Sequence, residues 1–251
     1  MDAYVYGVLA ATSGPSPPGR GVEGQGLDLV KSGGLAALVS DAPEVPVRAN
    51  RRNLMAHTDV LRRVAVERGV LPMRFGVVMP DRDAVRDELL VAHGRELSAQ
   101  LEAFEPYVEL DVRVLCPEDA LLRAVLADRP DIAALRSDLA ARPADATYYE
   151  RIRLGELVAQ AVGARRAEVV ATVSARLEPL AAATDRGEPL HDEMLANVAF
   201  LVPRDQVGAF DAAVDELAET LGTDARVSSI GPLAVHRFVD LGAESEAGAW
   251  A

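Results

Sequence analysis

Tyr107-Val108-Glu109-Leu110-Asp111-Val112-Arg113-Val114-Leu115-Cys116 alternates almost perfectly. Val108, Leu110, Val112 and Val114 fall on one side, and Glu109, Asp111, Arg113 and Leu115 on the other. That is the period of a β-strand with one solvated face. Downstream, Pro117-Glu118-Asp119 opens a short helix to about Ala127. Arg129-Pro130 breaks it, and Asp131 to Ala141 reads as another, stopped by Pro143. Residues 145 to 182 then hold one apolar stripe: Tyr148, Ile152, Val158, Val162, Val169, Val173, Leu177 and Leu180. Such a helix is on the order of 50 Å long. It should overhang, bend near Gly163, or pack on something else. Met194 to Val202 is a strand, and Pro203-Arg204-Asp205 starts a helix through Leu221. Ala225 to Ile230 and Leu233 to Val239 read as two strands around Gly231-Pro232. From Tyr107 the order is β, helices, β, α, β, which fits a ferredoxin-like variant domain with a long helix.

Upstream the pattern is also mixed. Tyr4, Tyr6 and Val8 alternate with Val5 and Leu9 in an opening strand. Residues 12–26, rich in Gly and Pro, read as a mobile loop. They lack the Gly-Lys-Ser/Thr and the following helix of a phosphate cradle. Leu27 to Val30 and Leu35 to Ser40 form a hairpin across Lys31-Ser32-Gly33-Gly34. Asn50 is an N-cap candidate for a helix with Leu54, His57, Leu61 and Val64 inward, closing near Gly69. Val70 to Met79 reads as a buried strand. Asp83 to about Phe104 reads as a helix with Val85, Leu89, Leu97, Leu101 and Phe104 inward, weakened at Gly94. The fold class is therefore α+β with two domains. Residues 1–105 form an N-terminal mixed domain, and residues 106–251 the C-terminal ferredoxin-like domain, with a frayed tail over 242–251.

The chain has 251 residues, 26 bases against 39 acids, and a net charge of −13. Phosphate backbones repel such a chain, so nucleic acid is excluded as a partner of the whole molecule. No run of 18 apolar residues and no basic-flanked leader is present, which predicts a cytoplasmic protein off the membrane. The charge is uneven. Residues 48–74 carry Arg48, Arg51, Arg52, Arg62, Arg63, Arg68 and Arg74 against Asp59 and Glu67. That segment reads either as a solvated helix face or as a docking patch for an acidic partner.

No chemistry-bearing constellation stands out. His57, His93, His191 and His236 lack metal-site spacing, and Cys116 is the only cysteine, so no metal or cofactor is expected. His57 lies on an apolar stripe and reads as a core histidine. Carboxylate pairs such as Asp81/Asp83 flank helix starts, where they favour the dipole. No catalytic residue is assigned. Arg74 sits inside the apolar 70–79 run. Buried there, it needs a local carboxylate or a partner's anion.

Several separated segments, taken in order, carry a resemblance. They are Tyr4-Val5-Tyr6-Gly7-Val8, Leu35 to Ser40, His57 with Val60-Leu61, Leu71-Pro72-Met73-Arg74-Phe75-Gly76, the Tyr148–Leu180 helix, Ala199-Phe200-Leu201-Val202 and Gly231-Pro232. Together they resemble the gas vesicle protein F/L family over nearly the whole chain. The resemblance implies a two-domain accessory protein of gas vesicle assembly without enzyme activity. It also implies contact with the small hydrophobic shell protein and other accessory proteins, and association with gas vesicles. One departure is Leu233-Ala234-Val235-His236-Arg237-Phe238, where the family usually has an aromatic- and proline-rich stretch. With the charge asymmetry, Arg51, Arg52, Arg62, Arg63 and Arg74 become the candidate partner-binding residues. A reading from another class is a ferredoxin-like small-molecule-binding regulatory module with loop 12–26 as a lid.

Overall fold

β1 (Ala3–Ala10) runs through the middle of the first sheet and is buried on both faces. The structure, a computed structural model, describes residues 1–11, 17–42, 46–143 and 145–239. Residues 12–16 of the Gly/Pro-rich loop and the 242–251 tail lie outside the described residues. β3 (Leu35–Asp41) pairs with one edge of β1, and β2 (Asp28–Ser32) lies beyond it. β4 (Leu71–Pro72) and β5 (Val78–Met79) pair with the other edge. All these pairings are antiparallel. The β2–β3 hairpin turns at Gly33 and Gly34, both at positive φ (56° and 87°), where glycine is strain-free.

The β1–β3 register slips between Val5 and Gly7. Ala3 and Val5 therefore share a face with Val8, while Tyr4 and Tyr6 share the other with Leu9. Simple alternation groups Val8 with the tyrosines; one extra residue in the strand flips that parity. Gly7 sits where a Cβ would lie 2.6 Å from the Leu71 carbonyl oxygen, so no side chain fits beside β4.

Helices cover both faces. α1 (Arg51–Glu67) packs on the tyrosine side through Val60, Leu61, Val64 and Ala65. On the valine side lie α2 (Arg82–Ala84), which runs into a π-helical stretch over Val85–Val91, and then α3 (Gly94–Phe104). The single helix expected over 83–104 is thus interrupted just before Gly94, where sequence marks it as weak. The strand expected over Val70–Met79 is also split, because Gly76 takes φ 93° between β4 and β5.

The second sheet has the order β7-β8-β6-β9, from β6 (Tyr107–Leu115), β7 (Ala183–Arg186), β8 (Met194–Pro203) and β9 (Arg226–Leu233). Cys116 N–H donates to Glu193 O and Arg204 N–H to Pro106 O, so β6 and β8 run antiparallel. α4 (Glu118–Asp128), α5 (Pro130–Ala140) and α6 (Tyr148–Leu177) connect β6 to β7, and α7 (Val207–Leu221) connects β8 to β9. With β7 included, the order is βαββαβ, the ferredoxin-like split pattern. β7 is an exposed edge strand without apolar alternation, and sequence reading passes over it.

Three further corrections follow from burial. Glu109 and Asp111, read as solvated, are only 2% and 6% exposed, and Glu109 Oε2 accepts the Arg237 N–H at 2.9 Å. β9 passes straight through Gly231-Pro232, a cis peptide, and no strand follows over 234–239. α6 is continuous for 30 residues, roughly 45 Å. Its later half buries Val169, Val173 and Leu177. Tyr148 and Ile152, expected inward, are 63% and 46% exposed.

The chain divides into two compact units. One comprises Met1–Leu110, Leu201–Asp205 and Ile230–Ala251; the other comprises Asp111–Phe200 and Gln206–Ser229. No described helix is long and apolar enough to cross a membrane.

Candidate partner-binding surface

The first helix begins where Asn50 Oδ1 accepts the Asn53 N–H at 2.9 Å, satisfying one of the free amides of its first turn. Its inner face is Asn53, His57, Val60, Leu61, Val64 and Ala65. Leu54, expected inward, is 42% exposed. Asn53 takes the inner place in that turn. Its buried amide donates to Arg48 O at 3.0 Å and to Glu23 Oε1 at 3.3 Å.

His57 is the polar centre of this seam. Its Nε2 lies 3.1 Å from the Met73 carbonyl oxygen, which can only accept, so Nε2 carries the proton. Nδ1 is therefore an acceptor and takes the Tyr4 hydroxyl at 2.8 Å. The Tyr4 oxygen in turn accepts the Gly76 N–H at 3.1 Å. Tyr6 stacks on the imidazole with centroids 5.5 Å apart, and Phe75 meets it edge-on at 5.8 Å. Burial pushes the His57 pKa down to about 4 and raises those of both tyrosine hydroxyls. His57 is thus a neutral core histidine with two hydrogen-bond partners. It ties Met73–Gly76 to α1 and β1.

Outside, α1 presents two rows of arginine. Arg51 and Arg62 are eleven residues apart, three turns, and so line up; Arg52 and Arg63 form a second row. Met55 (53% exposed) and Val66 (57% exposed) fall between the rows. Arg62 reaches Asp59 loosely at 3.7 Å, and Arg63 donates to Arg20 O at 3.3 Å. Arg51, Arg52 and Arg74 have no hydrogen-bond or ion-pair partner among the described residues. Elsewhere Arg86, Arg129 and Arg142 are each held by neighbouring carboxylates. A cleft of about 360 Å³ opens beside Arg62, Arg63 and Val66, with Pro17 and Pro18 opposite.

Arg74 follows Met73 but is exposed, not buried. The strand that would have buried it is broken there, so its charge is solvated and no internal anion is required. Sequence reasoning brings the arginines forward but misses Leu54, Met55 and Val66. Tracing the stripe through Asn53 and Val60 instead of Leu54 places all three outside. Among the described residues, no group of three His, Cys, Asp or Glu side chains could hold a metal ion.

Known proteins resemble this chain over nearly its whole length. A model of the family described as gas vesicle synthesis protein GvpL/GvpF matches residues 2–240. Gas vesicle protein F of Streptomyces sp. (strain CB03234) is 40% identical, over 96% of this chain and 100% of that protein. Gas vesicle protein F of Dolichospermum flosaquae is 25% identical, over 96% and 98%. The crystal structure of GvpF from Anabaena sp. PCC7120 superposes with a TM-score of 0.81 at 23% identity, covering 96% of this chain and 99% of that one. That from Microcystis aeruginosa does so at 0.76 and 23%, with the same coverage.

Proposed function

The chain belongs to the gas vesicle synthesis protein GvpL/GvpF family, and from that premise we propose that it is a non-enzymatic accessory protein that binds the shell protein during gas vesicle assembly. The contact is the outer face of α1, with Arg51, Arg52, Arg62 and Arg63, together with Arg74 from the segment between β4 and β5. The observation that carries this reading is the pair of arginine rows flanking exposed Met55 and Val66 in a chain of net charge −13.

Apolar and basic groups divide the work there. Exposed single charges contribute about 0–1 kcal/mol each to an ion pair. They set orientation and association rate, while Leu54, Met55 and Val66 supply the apolar contact. A small hydrophobic subunit needs its apolar surface covered before it polymerises. The seam beneath keeps the α1 platform rigid while it does so. Residues 1–105 act as the partner-binding domain and residues 106–251 as the ferredoxin-like domain. Other accessory proteins join the same assembly, and the protein works at the growing vesicle.

The test is co-expression and capture with the shell protein. Wild-type chain should retain it. Arg62→Glu with Arg63→Glu should fold normally by circular dichroism and bind at least several-fold more weakly at low salt, with the loss shrinking at high salt. Undiminished binding of that variant at low salt removes α1 as the site. Absence of any wild-type complex, where other accessory proteins are captured, overturns shell binding itself.

A further inference from the structure

A cleft of about 390 Å³ opens between α4, α5 and α6. Val125 and Ile132 form its floor and are buried. Leu122, Leu126, Leu154 and Val158 stand around it half-buried. Protein interiors pack with few voids larger than a water molecule. Here the local cluster has only Val125, Ile132 and Ala161 fully buried. The three helices leave concave apolar surface uncovered, at a volume within the range of small-ligand sites. It suits a single hydrocarbon chain better than a peptide helix about 10 Å across.

The mouth is basic. Arg123 pairs with Asp119 at 3.4 Å, but both side chains are mostly exposed (68% and 75%). Arg136, also at the mouth, has no hydrogen-bond or ion-pair partner among the described residues. A guanidinium is a planar fork that takes a carboxylate through two parallel hydrogen bonds. A cationic head would be repelled there, and a neutral head would leave the fork without its counter-charge.

We propose that this cleft binds an aliphatic monocarboxylic acid. The hydrocarbon chain lies against Leu122, Leu126, Leu154 and Val158, and the carboxylate is received by Arg136. Nothing in this depends on how α1 is used. The ligand joins three helices that share a small core, so it should stabilise them in proportion to its occupancy.

The isoleucines of this chain are Ile132, Ile152 and Ile230, which makes the test specific. Ile132 lies on the cleft floor; Ile152 and Ile230 are partly exposed and do not line it. Decanoate is titrated into the full chain carrying labelled isoleucine methyl groups and followed by NMR. The Ile132 methyl should shift saturably while the other two stay in place. Butyrate, which lacks the chain, and decyltrimethylammonium, which reverses the charge, should shift it far less. Arg136→Glu, an exposed change that leaves the core intact, should weaken decanoate binding by roughly tenfold. Val158→Trp should fill the cleft and abolish the shift. The proposal is overturned by an unmoved Ile132, by all three methyls moving together as in detergent adsorption, or by undiminished affinity in Arg136→Glu. Binding of 1-decanol as tight as that of decanoate would overturn the carboxylate role.

Discussion

α1 and the first half of α6 are both amphipathic helices with charged outer faces, yet they are held in opposite ways. α1 buries six side chains and closes its two inner polar residues, Asn53 and His57, with hydrogen bonds. α6 up to Gly163 buries only Ala161 and rests half-buried aliphatics on α4 and α5. A satisfied polar seam admits one arrangement of the backbone, because shifting it strands buried donors and acceptors. A sparse aliphatic contact carries no such penalty and can take something in. The contrast is between a helix fixed by buried hydrogen bonds and one that rests on a sparse aliphatic contact.

The largest effect should come from breaking the seam. His57→Leu leaves the Tyr4 hydroxyl and the Met73 carbonyl without their buried partner. It should cost about 3 kcal/mol, lowering the first melting transition by roughly 6–12 °C. Tyr4→Phe removes two bonds, the one to His57 Nδ1 and the one from the Gly76 N–H, and should cost about 2 kcal/mol. Thermal unfolding of both variants decides whether the seam or the surrounding aliphatics fix α1. A neutral His57→Leu would erase the contrast with α6.

The seam should also be sensitive to acid. His57 titrates near 4 when folded and near 6.5 when unfolded. Between those values the unfolded chain binds more protons, so stability is full above about pH 6.5 and falls as pH drops toward 4. Below that it changes no further from this source. The total loss is about 3 kcal/mol at most. His57→Gln should flatten this limb of the stability–pH curve; an unchanged limb would assign the acid sensitivity to other groups.

A smaller loss is expected at the end of α1. Arg204 donates to Ala65 O at 2.6 Å and to Glu105 O at 2.8 Å, near the carboxyl ends of α1 and α3. Cations belong at such ends, where carbonyls lack helical partners. Arg204→Ala should cost about 1–2 kcal/mol in denaturant unfolding. Arg204→Lys should recover only part of it, since one ammonium cannot reproduce the fork.

The two helices also show what was legible beforehand. The Asn50 cap, the Gly33-Gly34 hairpin, α7 and the strands of the central pairings are local signals, and the α+β class follows from them. The missed features are tertiary. β7 is recognisable only by its pairing with β8. The parity flip in β1 is set by how β3 meets it. Glu109 and Asp111 look solvated because alternation reports period and not what lies above the face. At the candidate surface, the arginines were visible as charge, but the exposure of Arg74 depended on a break in the 70–79 run that composition conceals.

Leu54 and Ile152 give the smallest effect and sharpen the contrast most, since periodicity alone places each in the core of its helix. A leucine in a close-packed core costs about 2–5 kcal/mol on truncation. Leu54 is 42% exposed and Ile152 is 46% exposed, so each keeps much of its surface in water when folded. Leu54→Ser and Ile152→Ser should therefore each change stability by no more than about 0.5 kcal/mol. Their binding phenotypes should differ. Leu54 flanks the arginine rows, so its loss should weaken capture of the shell protein without altering the melting profile. Ile152 lies on the α6 face away from Leu154 and Val158, so its loss should leave both that capture and decanoate affinity unchanged. A stability loss of 2 kcal/mol at Leu54 would restore the simple apolar stripe to α1 and remove the apolar part of the proposed contact. A weakened shell capture on changing Ile152 would move that contact, or a second one, to the exposed start of α6.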